Sequence, residues 1–426
     1  MQKTWIKIIL AIEFILIMIF LDLVLMNSGF AYPIDGYIAT GIRRLERLRL
    51  ISEGKLKGNK PISGACKLIS QIKLNLLGKK GEMFDRLPAI DQRLQKSIDA
   101  IFPDKHESYS LAVLDITQGK TIRFAARQID RQFSPGSVGK LAIAAGLFTE
   151  LKRLYPESID KRIKILRDRI VIAGSWIHDD HHEVPVFNPE DSSFTSRPIR
   201  DGDKFSLYEW IDHMLSASAN AAASTLWKEL ILMRYFGKAY PPSITDEVEF
   251  FKTTSPKILT ELAMSTINDP LREIGIKVHD WQLGSFFTRE GKKKIPGGGK
   301  SQATPLGLIQ FLIAIERGKL VDEWSSLEIK KIMYMSARRI RYAASPVLNK
   351  AAVYFKSGSI YRCKPEPDFT CRKYRGNVEN IMNSVAIIEH DDGRIYMVVL
   401  MSNILRKNSA EEHLNIATRI DKILKE

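Results

Sequence analysis

Runs of apolar and β-branched residues predict short strands near both ends of the chain, separated by a long helical middle. The strands are expected at residues 108–116, 121–126, 352–361, 382–389 and 395–402. Gln118-Gly119 lies between the first two runs and predicts a β-hairpin, and 391–394 supplies a turn between the last two. Two N-terminal and three C-terminal strands imply an α+β body whose sheet joins both ends of the chain.

The middle of the chain carries apolar residues at the three- and four-residue spacing that is typical of helices. A buried helix is expected to begin near residue 137, and further helices at 151–172, 208–227, 258–274, 305–317, 327–335 and 411–424. Small residues at 216–220 interrupt the helix at 208–227. Residues 173–203 and the Lys- and Gly-rich stretch 291–300 are expected to be loops.

The first residues have the pattern of a membrane or export segment. Lys3 and Lys7 precede an apolar run over residues 8–26, and small residues offer a cleavage point after Ala31. The basic flank predicts a cytoplasmic N-terminus and an exported remainder, in the periplasm or on the outer face of the cytoplasmic membrane. Residues 1–31 are therefore expected to be an uncleaved anchor or a cleaved signal, and the length of the run favours the anchor.

Residues 32–105 are expected to form a basic, mostly helical N-terminal region. Arginines alternate with aliphatic residues over 42–50, lysines continue the positive charge, and 84–102 has helical spacing. Beside a membrane anchor, this region has the charge to lie on anionic lipid headgroups. The alternative is a helical face that packs on the main domain, and the sequence leaves both arrangements open.

The net charge of +15 and the pI near 9.5 leave nucleic acid, a membrane surface or an acidic polymer as candidate partners. No nucleic-acid motif is present, and aromatic residues do not interleave with the basic ones, so no nucleic-acid partner is expected. Cys363 and Cys371 lie close together around two prolines, which suits a disulfide in an exported chain. Cys66 would then be free or buried, and three scattered thiols are too few soft ligands for a metal site.

Candidate chemistry begins at Ser137 and Lys140, which are three residues apart and therefore share one face of a helix. A serine hydroxyl is a weak nucleophile until a nearby base takes its proton. A lysine amine can be that base when burial and neighbouring positive charge lower its pKa. A Ser-x-x-Lys pair is common by chance, so its meaning depends on the motifs downstream.

Two further short motifs follow this pair. Ser218-Ala219-Asn220 lies where small residues interrupt a helix, and Lys356-Ser357-Gly358 lies in a predicted strand. In this order the three motifs resemble those of the penicillin-recognising serine hydrolases, which are the class A β-lactamases and the penicillin-binding D,D-peptidases. The resemblance extends over about 108–425 and includes Thr304-Pro305 at the start of a helix.

The resemblance implies a β-lactamase/transpeptidase-like fold for residues 106–426, with an antiparallel sheet of N- and C-terminal strands flanked by helices. An all-helical middle subdomain, over about 137–350, would be inserted between the strands. The implied partners are a peptidoglycan fragment or a β-lactam, and neither a cofactor nor a metal is implied.

The motif residues receive catalytic roles from the resemblance and from their own chemistry. Ser137 Oγ would attack an amide carbonyl and form an ester, and Lys140 would take or relay the proton. Ser218 would pass a proton to the leaving amine. Lys356 is a compact cation suited to the carboxylate of the substrate.

The implied substrate-binding groups surround that centre. Asn220 offers an amide donor and acceptor to the amide of the substrate, and Ser357 can hydrogen-bond the same carboxylate as the lysine before it. Gly358 lets the strand backbone lie close to the substrate. The backbone N–H groups of Ser137 and Ser359 would form the oxyanion hole.

Two departures from the family's pattern bear on the activity. Class A β-lactamases carry Glu-x-x-Leu-Asn before the Thr-Pro helix, whereas residues 284–296 lack this motif and contain Glu290 as their only carboxylate. Ala219 stands where class A enzymes have Asp, so the packing there is expected to differ. Without a placed deacylation base, an acyl-enzyme should persist, which favours a peptidase-like hydrolase or transferase acting on a D-amino-acid amide. A true β-lactamase with an unrecognised base and a non-catalytic sensing domain are the alternatives.

Two polar clusters lie outside these motifs. The stretch 178–183 leaves three roles open, namely metal binding, substrate contact at the rim of the site, or a hydrogen-bonded loop. Prolines at 185 and 189 argue against a helix that presents His178 and His182 together. The stretch 297–301 is similar to a phosphate loop, but Lys294 stands where the first glycine is required, so a flexible basic loop is expected.

Overall fold

The computed structural model describes residues 32–102, 106–336 and 339–426. The segment expected to be an anchor or a signal, residues 1–31, lies outside the described residues. Within the described ranges, no helix has both the length and the apolar character needed to cross a membrane.

In the described part of the chain, the strands form one main sheet and three two-stranded ribbons. They are β1 Tyr109–Asp115, β2 Arg123–Arg127, β3 Ile170–Ile172, β4 Glu183–Phe187, β5 Phe194–Pro198, β6 Lys204–Ser206, β7 Trp281–Gln282, β8 Gln302–Ala303, β9 Ala352–Arg362, β10 Glu379–Glu389 and β11 Ile395–Asn403. The main sheet is antiparallel, with the strand order β2-β1-β11-β10-β9. Strands from both ends of the chain therefore meet at the β1–β11 pair.

The helices lie before, between and after the strands of the main sheet. They are α1 Tyr37–Thr40, α2 Arg43–Ser52, α3 Lys79–Glu82, α4 Gln92–Asp99, α5 Lys140–Leu154, α6 Ile159–Asp168, α7 Leu207–Leu215, α8 Asn220–Phe236, α9 Ile244–Thr253, α10 Pro256–Glu273, α11 Arg289–Lys294, α12 Pro305–Glu316, α13 Glu323–Met333 and α14 Ser409–Lys425. Most of them belong to the middle of the chain, between β2 and β9, where the sequence predicts an all-helical subdomain; the short strands β3–β8 lie there as well.

Side chains alternate between the two faces of the main sheet along each strand, so apolar residues lie on both faces. Helices cover both of these faces. On one face, Ala112, Leu114 and Val385 belong to the same buried core as apolar residues of α5 and α12. On the other face, Val113 and Val398 share a core with α4 and α14. The predicted α+β class, with a sheet of N- and C-terminal strands flanked by helices, is confirmed.

The N-terminal region packs on the main domain. Leu45, Leu48 and Ile51 of α2 are buried, and so is Arg44. Arg44 pairs with Asp212 of α7, and its Nε lies 2.6 Å from Asp212 Oδ2. Of the two arrangements that the sequence leaves open for α2, packing on the domain is therefore the one observed.

A buried charge network joins the N-terminal region to the sheet. Lys330 Nζ lies 2.7 Å from Glu389 Oε1 and 2.5 Å from Glu316 Oε1. Lys67 Nζ lies 2.8 Å from Glu389 Oε2, and the Asn75 side chain donates to Glu389 Oε1 at 2.8 Å. Because buried charges require paired partners, the N-terminal region contributes to the neutralisation of this part of the core.

Some helix bounds differ from those that the sequence pattern predicts. The helix expected over 151–172 ends at Leu154, and after Pro156 a separate helix α6 and the short strand β3 follow, since proline disfavours helical backbone in the residue before it. Only α4 forms within 84–102, and it begins where the Asp91 side chain accepts a hydrogen bond from Leu94 N. The expected loop 173–203 contains the β4–β5 ribbon.

A disulfide joins Cys363 to Cys371 in the connection between β9 and β10, with 5.9 Å between the two Cα atoms. Cys66 is free and half-buried. The pairing that the sequence favours is thus present, and it closes a short loop, residues 363–371, which we call the disulfide loop.

Candidate active site

Ser137 lies in the tight turn Gly136–Gly139, which leads directly into α5. Gly136 has a φ of +51°, a conformation that glycine adopts without strain. The turn is pressed against the edge strand β9. A Cβ on Gly358 would lie 2.5 Å from the Pro135 carbonyl oxygen and 2.6 Å from Ser137 N. Only glycine at this strand position allows the turn that carries Ser137 to approach so closely.

Lys140 is the first residue of α5, and its amine lies beside the serine hydroxyl. Lys140 Nζ donates to Ser137 Oγ at 3.0 Å, to the Ser218 carbonyl oxygen at 2.6 Å and to Asn220 Oδ1 at 2.7 Å. The lysine is fully buried. The structure thus brings the first two motifs into direct contact through this one amine.

Ser218 connects this amine to the third motif. It lies between α7 and α8 with a φ of +61°, which is uncommon for a residue with a side chain. Its hydroxyl accepts a hydrogen bond from Lys356 Nζ at 2.8 Å and lies 3.5 Å from Lys140 Nζ. The Ser218 hydroxyl therefore lies between two lysine amines, where it can accept a proton from one side and donate one into the cleft.

The two amines are electrostatically unusual. Burial lowers the pKa of Lys140 to about 7, and the nearby Asp180 carboxylate opposes part of that shift. Burial, together with repulsion from Lys140 and from Arg341, also holds the pKa of Lys356 well below its ordinary range. An amine with a pKa near 7 is unprotonated in a large fraction of molecules at neutral pH, as a general base must be.

The two predicted oxyanion-hole amides lie on opposite sides of the contact between the turn and β9. A Cβ on Gly136 would lie 3.3 Å from Ser359 N, just as one on Gly358 would lie 2.6 Å from Ser137 N. Asn383 of β10 fixes this contact, because its side-chain amide donates to the carbonyl oxygens of Ser134 and Pro135 at 2.8 and 3.1 Å. No motif contains Asn383, so the sequence alone does not indicate it.

Arg341 is a second residue that the motifs do not contain. Its Nη1 donates to Ser357 Oγ at 2.7 Å, and its Nη2 donates to Ser359 Oγ at 3.0 Å. A planar guanidinium is therefore added to the lysine and serine that the sequence assigns to carboxylate binding. Arg341 lies in the turn Arg341–Ala344. Neither a motif nor a periodic apolar pattern marks this residue in the sequence.

An aromatic ring faces Lys140 from the segment in which class A β-lactamases carry their deacylation glutamate. The ring centroid of Phe287 lies 4.9 Å from Lys140 Nζ. Glu290, the carboxylate of this segment, forms an ion pair with Lys293 at 3.1 Å. Among the described residues, this segment thus brings a phenyl ring, rather than a carboxylate, to the Lys140 amine.

The acidic and histidine-rich stretch 178–183 contributes Asp180 to the rim of the site. Asp180 Oδ2 accepts a hydrogen bond from Ala221 N at 2.8 Å, and Oδ1 lies 2.5 Å from His182 Nδ1. His178 pairs instead with Asp201 at 2.9 Å. Across the ranges described above, no group of three or more His, Cys, Asp or Glu side chains could hold a metal ion. The stretch is a hydrogen-bonded loop that brings the Asp180 carboxylate to the start of α8. The residue directly before this helix, Ala219, has no carboxylate of its own.

Comparison with solved structures identifies the fold as that of the class A β-lactamases. The chain superposes on the TLA-3 extended-spectrum β-lactamase with a TM-score of 0.50 and 14% identity, over 78% of this chain and 97% of that one. The predicted β-lactamase/transpeptidase-like fold is thereby confirmed. At this identity the likeness shows the fold alone, so the chemistry is argued from the site.

Two further solved structures are similar to the chain at lower TM-scores. One is a β-lactamase from Sphaerobacter thermophilus DSM 20745, with a TM-score of 0.47 and 14% identity over 78% of this chain and 96% of that one. The other is a variant of PBP-A in an acyl-enzyme complex with penicillin G, with a TM-score of 0.47 and 12% identity over 80% of this chain and 99% of that one. No protein-family profile and no curated protein matches the sequence.

Proposed function

We propose that the protein is an exported serine hydrolase that forms an acyl-enzyme at Ser137 with a peptidoglycan-type D-amino-acid amide or with a β-lactam. The observation that carries this proposal is the 3.0 Å hydrogen bond between Ser137 Oγ and the fully buried Lys140, whose pKa is lowered to about 7. The fold shared with an extended-spectrum β-lactamase supports it. The Cys363–Cys371 bridge supports export, because disulfides persist in oxidising compartments.

The contacts suggest how acylation proceeds. Unprotonated Lys140 takes the proton of Ser137 Oγ as the oxygen bonds to the amide carbonyl carbon, and the N–H groups of Ser137 and Ser359 stabilise the oxyanion. The C–N bond then breaks as Ser218 gives its hydroxyl proton to the leaving nitrogen. Ser218 regains a proton from Lys140, to which its hydroxyl lies 3.5 Å away. An ester on Ser137 and a free amine result.

The rate of deacylation distinguishes the proposed activity from that of a true β-lactamase. Phe287 faces the catalytic amine, and Glu290 is engaged by Lys293. Asp180 influences Lys140, yet its two oxygens are bonded to Ala221 N and to His182. Because the described residues place no free carboxylate to activate water, hydrolysis of a β-lactam ester should be slow, which favours a D,D-peptidase-like hydrolase or transferase over a true β-lactamase.

Intact mass spectrometry after incubation with benzylpenicillin tests the proposal. We expect one equivalent of intact penicillin on the wild-type protein, an adduct that outlasts excess drug, and no adduct on Ser137→Ala. Ser134→Ala, a change three residues upstream, is the control and should be acylated normally. Rapid steady turnover of nitrocefin would instead favour a true β-lactamase, and a wild-type protein that takes up no adduct would support the non-catalytic sensing domain.

Acylation is expected to follow the titration of Lys140. The amine acts as a base only without its proton, so the second-order acylation rate constant should be constant above pH 7 and fall about tenfold per pH unit well below it. The measurement is the rate of labelling by a fluorescent penicillin across the pH range. A rate that is unchanged down to pH 5 would contradict the role of Lys140.

Asp180→Asn is the matched variant for this profile. The Asp180 charge raises the pKa of Lys140, so its removal should move the midpoint of the profile to lower pH. The asparagine retains an oxygen that can accept the hydrogen bond from Ala221 N. A midpoint that stays in place or moves upward would show that a different group titrates.

A further inference from the structure

Arg341 is held at the site by contacts from more than one direction. Beyond its bonds to Ser357 and Ser359, its Nη2 donates to the Tyr374 hydroxyl at 3.1 Å, and the guanidinium carbon lies 4.8 Å from the centre of that ring. The residue itself has a φ of +55°, so its backbone is strained as well. Its long side chain has many rotamers in the absence of such contacts, and fixing one of them has an entropic cost.

Tyr374 is fixed in turn by its own surroundings. It lies in the tight turn Arg372–Arg375, with a φ of +61°. Its carbonyl oxygen accepts hydrogen bonds from Ser409 N at 3.0 Å and from Ser409 Oγ at 3.2 Å, at the start of α14. The ring of Tyr361, on β9, meets the Tyr374 ring edge to face at 5.9 Å. The tyrosine hydroxyl is therefore presented to Arg341 from a backbone that other elements hold in place.

The disulfide loop links this turn to the strand that carries the substrate-binding serines. Cys363 directly follows the last residue of β9, and Cys371 directly precedes the turn that carries Tyr374. Within the connection, the Asn377 side chain accepts from Lys364 N and donates to the Lys364 carbonyl oxygen, both at 2.8 Å. Strand and turn are thus joined covalently as well as by hydrogen bonds.

We propose that Tyr374 is a positioning residue, which the disulfide loop holds in place so that Arg341 lies ready against Ser357 and Ser359 to bind a carboxylate of the substrate. This inference rests on the proposed function and adds to it a residue outside the motifs, Tyr374, which affects how tightly a carboxylate is bound. Neither Tyr374 nor the disulfide loop contacts Ser137 or Lys140 through a hydrogen bond in the described structure, so the chemical step itself should not depend on them.

The test compares benzylpenicillin with its methyl ester, which lacks the negative charge. For Tyr374→Phe, we expect the apparent affinity for benzylpenicillin to fall about three- to tenfold, the range for loss of one hydrogen bond, with the limiting acylation rate unchanged. The constants for the methyl ester should stay as in the wild type. Tyr361→Phe is the matched control, because it removes a neighbouring hydroxyl from a ring that contacts Tyr374, and it should change neither ligand.

A second variant tests the part that the disulfide loop plays. Cys363→Ser combined with Cys371→Ser should lower the affinity for benzylpenicillin and spare the methyl ester, in the same manner as Tyr374→Phe. Equal losses for both ligands in Tyr374→Phe would mean a general structural role and would overturn the inference alone. An unreactive wild-type protein would overturn the proposed function, and this inference with it.

Discussion

Replacement of Lys140 by alanine is expected to slow the acylation of Ser137 by about 10²–10⁴-fold, the range that a positioned general base contributes. The amine is fully buried and donates to Ser137 Oγ at 3.0 Å. Its other hydrogen-bond partners in the described chain are oxygens of Ser218 and Asn220, which cannot replace it as a base. The rate of labelling by a fluorescent penicillin, followed over time, gives the measurement.

Lys140→Arg is the matched variant for this experiment. A guanidinium retains the positive charge and the hydrogen-bond donors, but it stays protonated at every working pH and so cannot take a proton. We expect it to be as slow as the alanine variant. A circular dichroism spectrum like that of the wild type establishes that each variant is folded. Labelling of Lys140→Arg at the wild-type rate would mean that the lysine acts through its charge and that the base is another group.

The parts of the site that the sequence predicts are those that short motifs carry. Ser137 and Lys140 are three residues apart, so local backbone geometry alone brings them within hydrogen-bond distance. Ser218 and Lys356 are far apart in sequence, and it is the resemblance of the three motifs to those of the penicillin-recognising serine hydrolases that predicts them in one cleft. The structure places their side chains 2.8 Å apart.

The residues that the sequence does not indicate come from turns and neighbouring strands. Arg341 and Tyr374 both lie in turns with positive φ, where neither apolar periodicity nor a motif marks a residue. Asn383 faces the site from inside β10, where a polar residue in an apolar run has no distinguishing spacing. Each of these side chains acquires its partner only through tertiary packing, which a single sequence does not display.

The elements of the fold are likewise predicted where the local sequence determines them, and not where tertiary packing does. The strands of the main sheet are rich in aliphatic residues because helices cover both faces, so their composition alone predicts them. The predicted length of the helix over 151–172 was wrong. The apolar spacing continues past Pro156, but the helical backbone ends before this proline. The position of α2 was open, since a basic amphipathic helix suits a lipid surface and a protein surface equally.

Arg44→Met tests the observed position of α2 and is expected to lower the free energy of unfolding by about 3–5 kcal/mol, the cost of leaving a buried partner charge uncompensated. Both members of the Arg44–Asp212 pair are almost completely inaccessible to solvent. Arg49→Ala, on the same helix, is the control. Arg49 is partly exposed beside Glu46 and Glu53, so its loss should cost less than about 1 kcal/mol. Urea-induced unfolding of the two variants provides the comparison.

The size of this loss should depend on pH and on the partner residue. Burial raises the pKa of Asp212, and Arg44 opposes that rise. Without the arginine the pKa of Asp212 rises further, so the aspartate becomes neutral as the pH falls and the destabilisation of Arg44→Met shrinks.

Combining Arg44→Met with Asp212→Leu should restore most of the lost stability, because a buried ion pair can be replaced by apolar side chains. If Arg44→Met cost no more than Arg49→Ala, α2 would not be docked on the domain and the lipid-surface arrangement would be favoured instead.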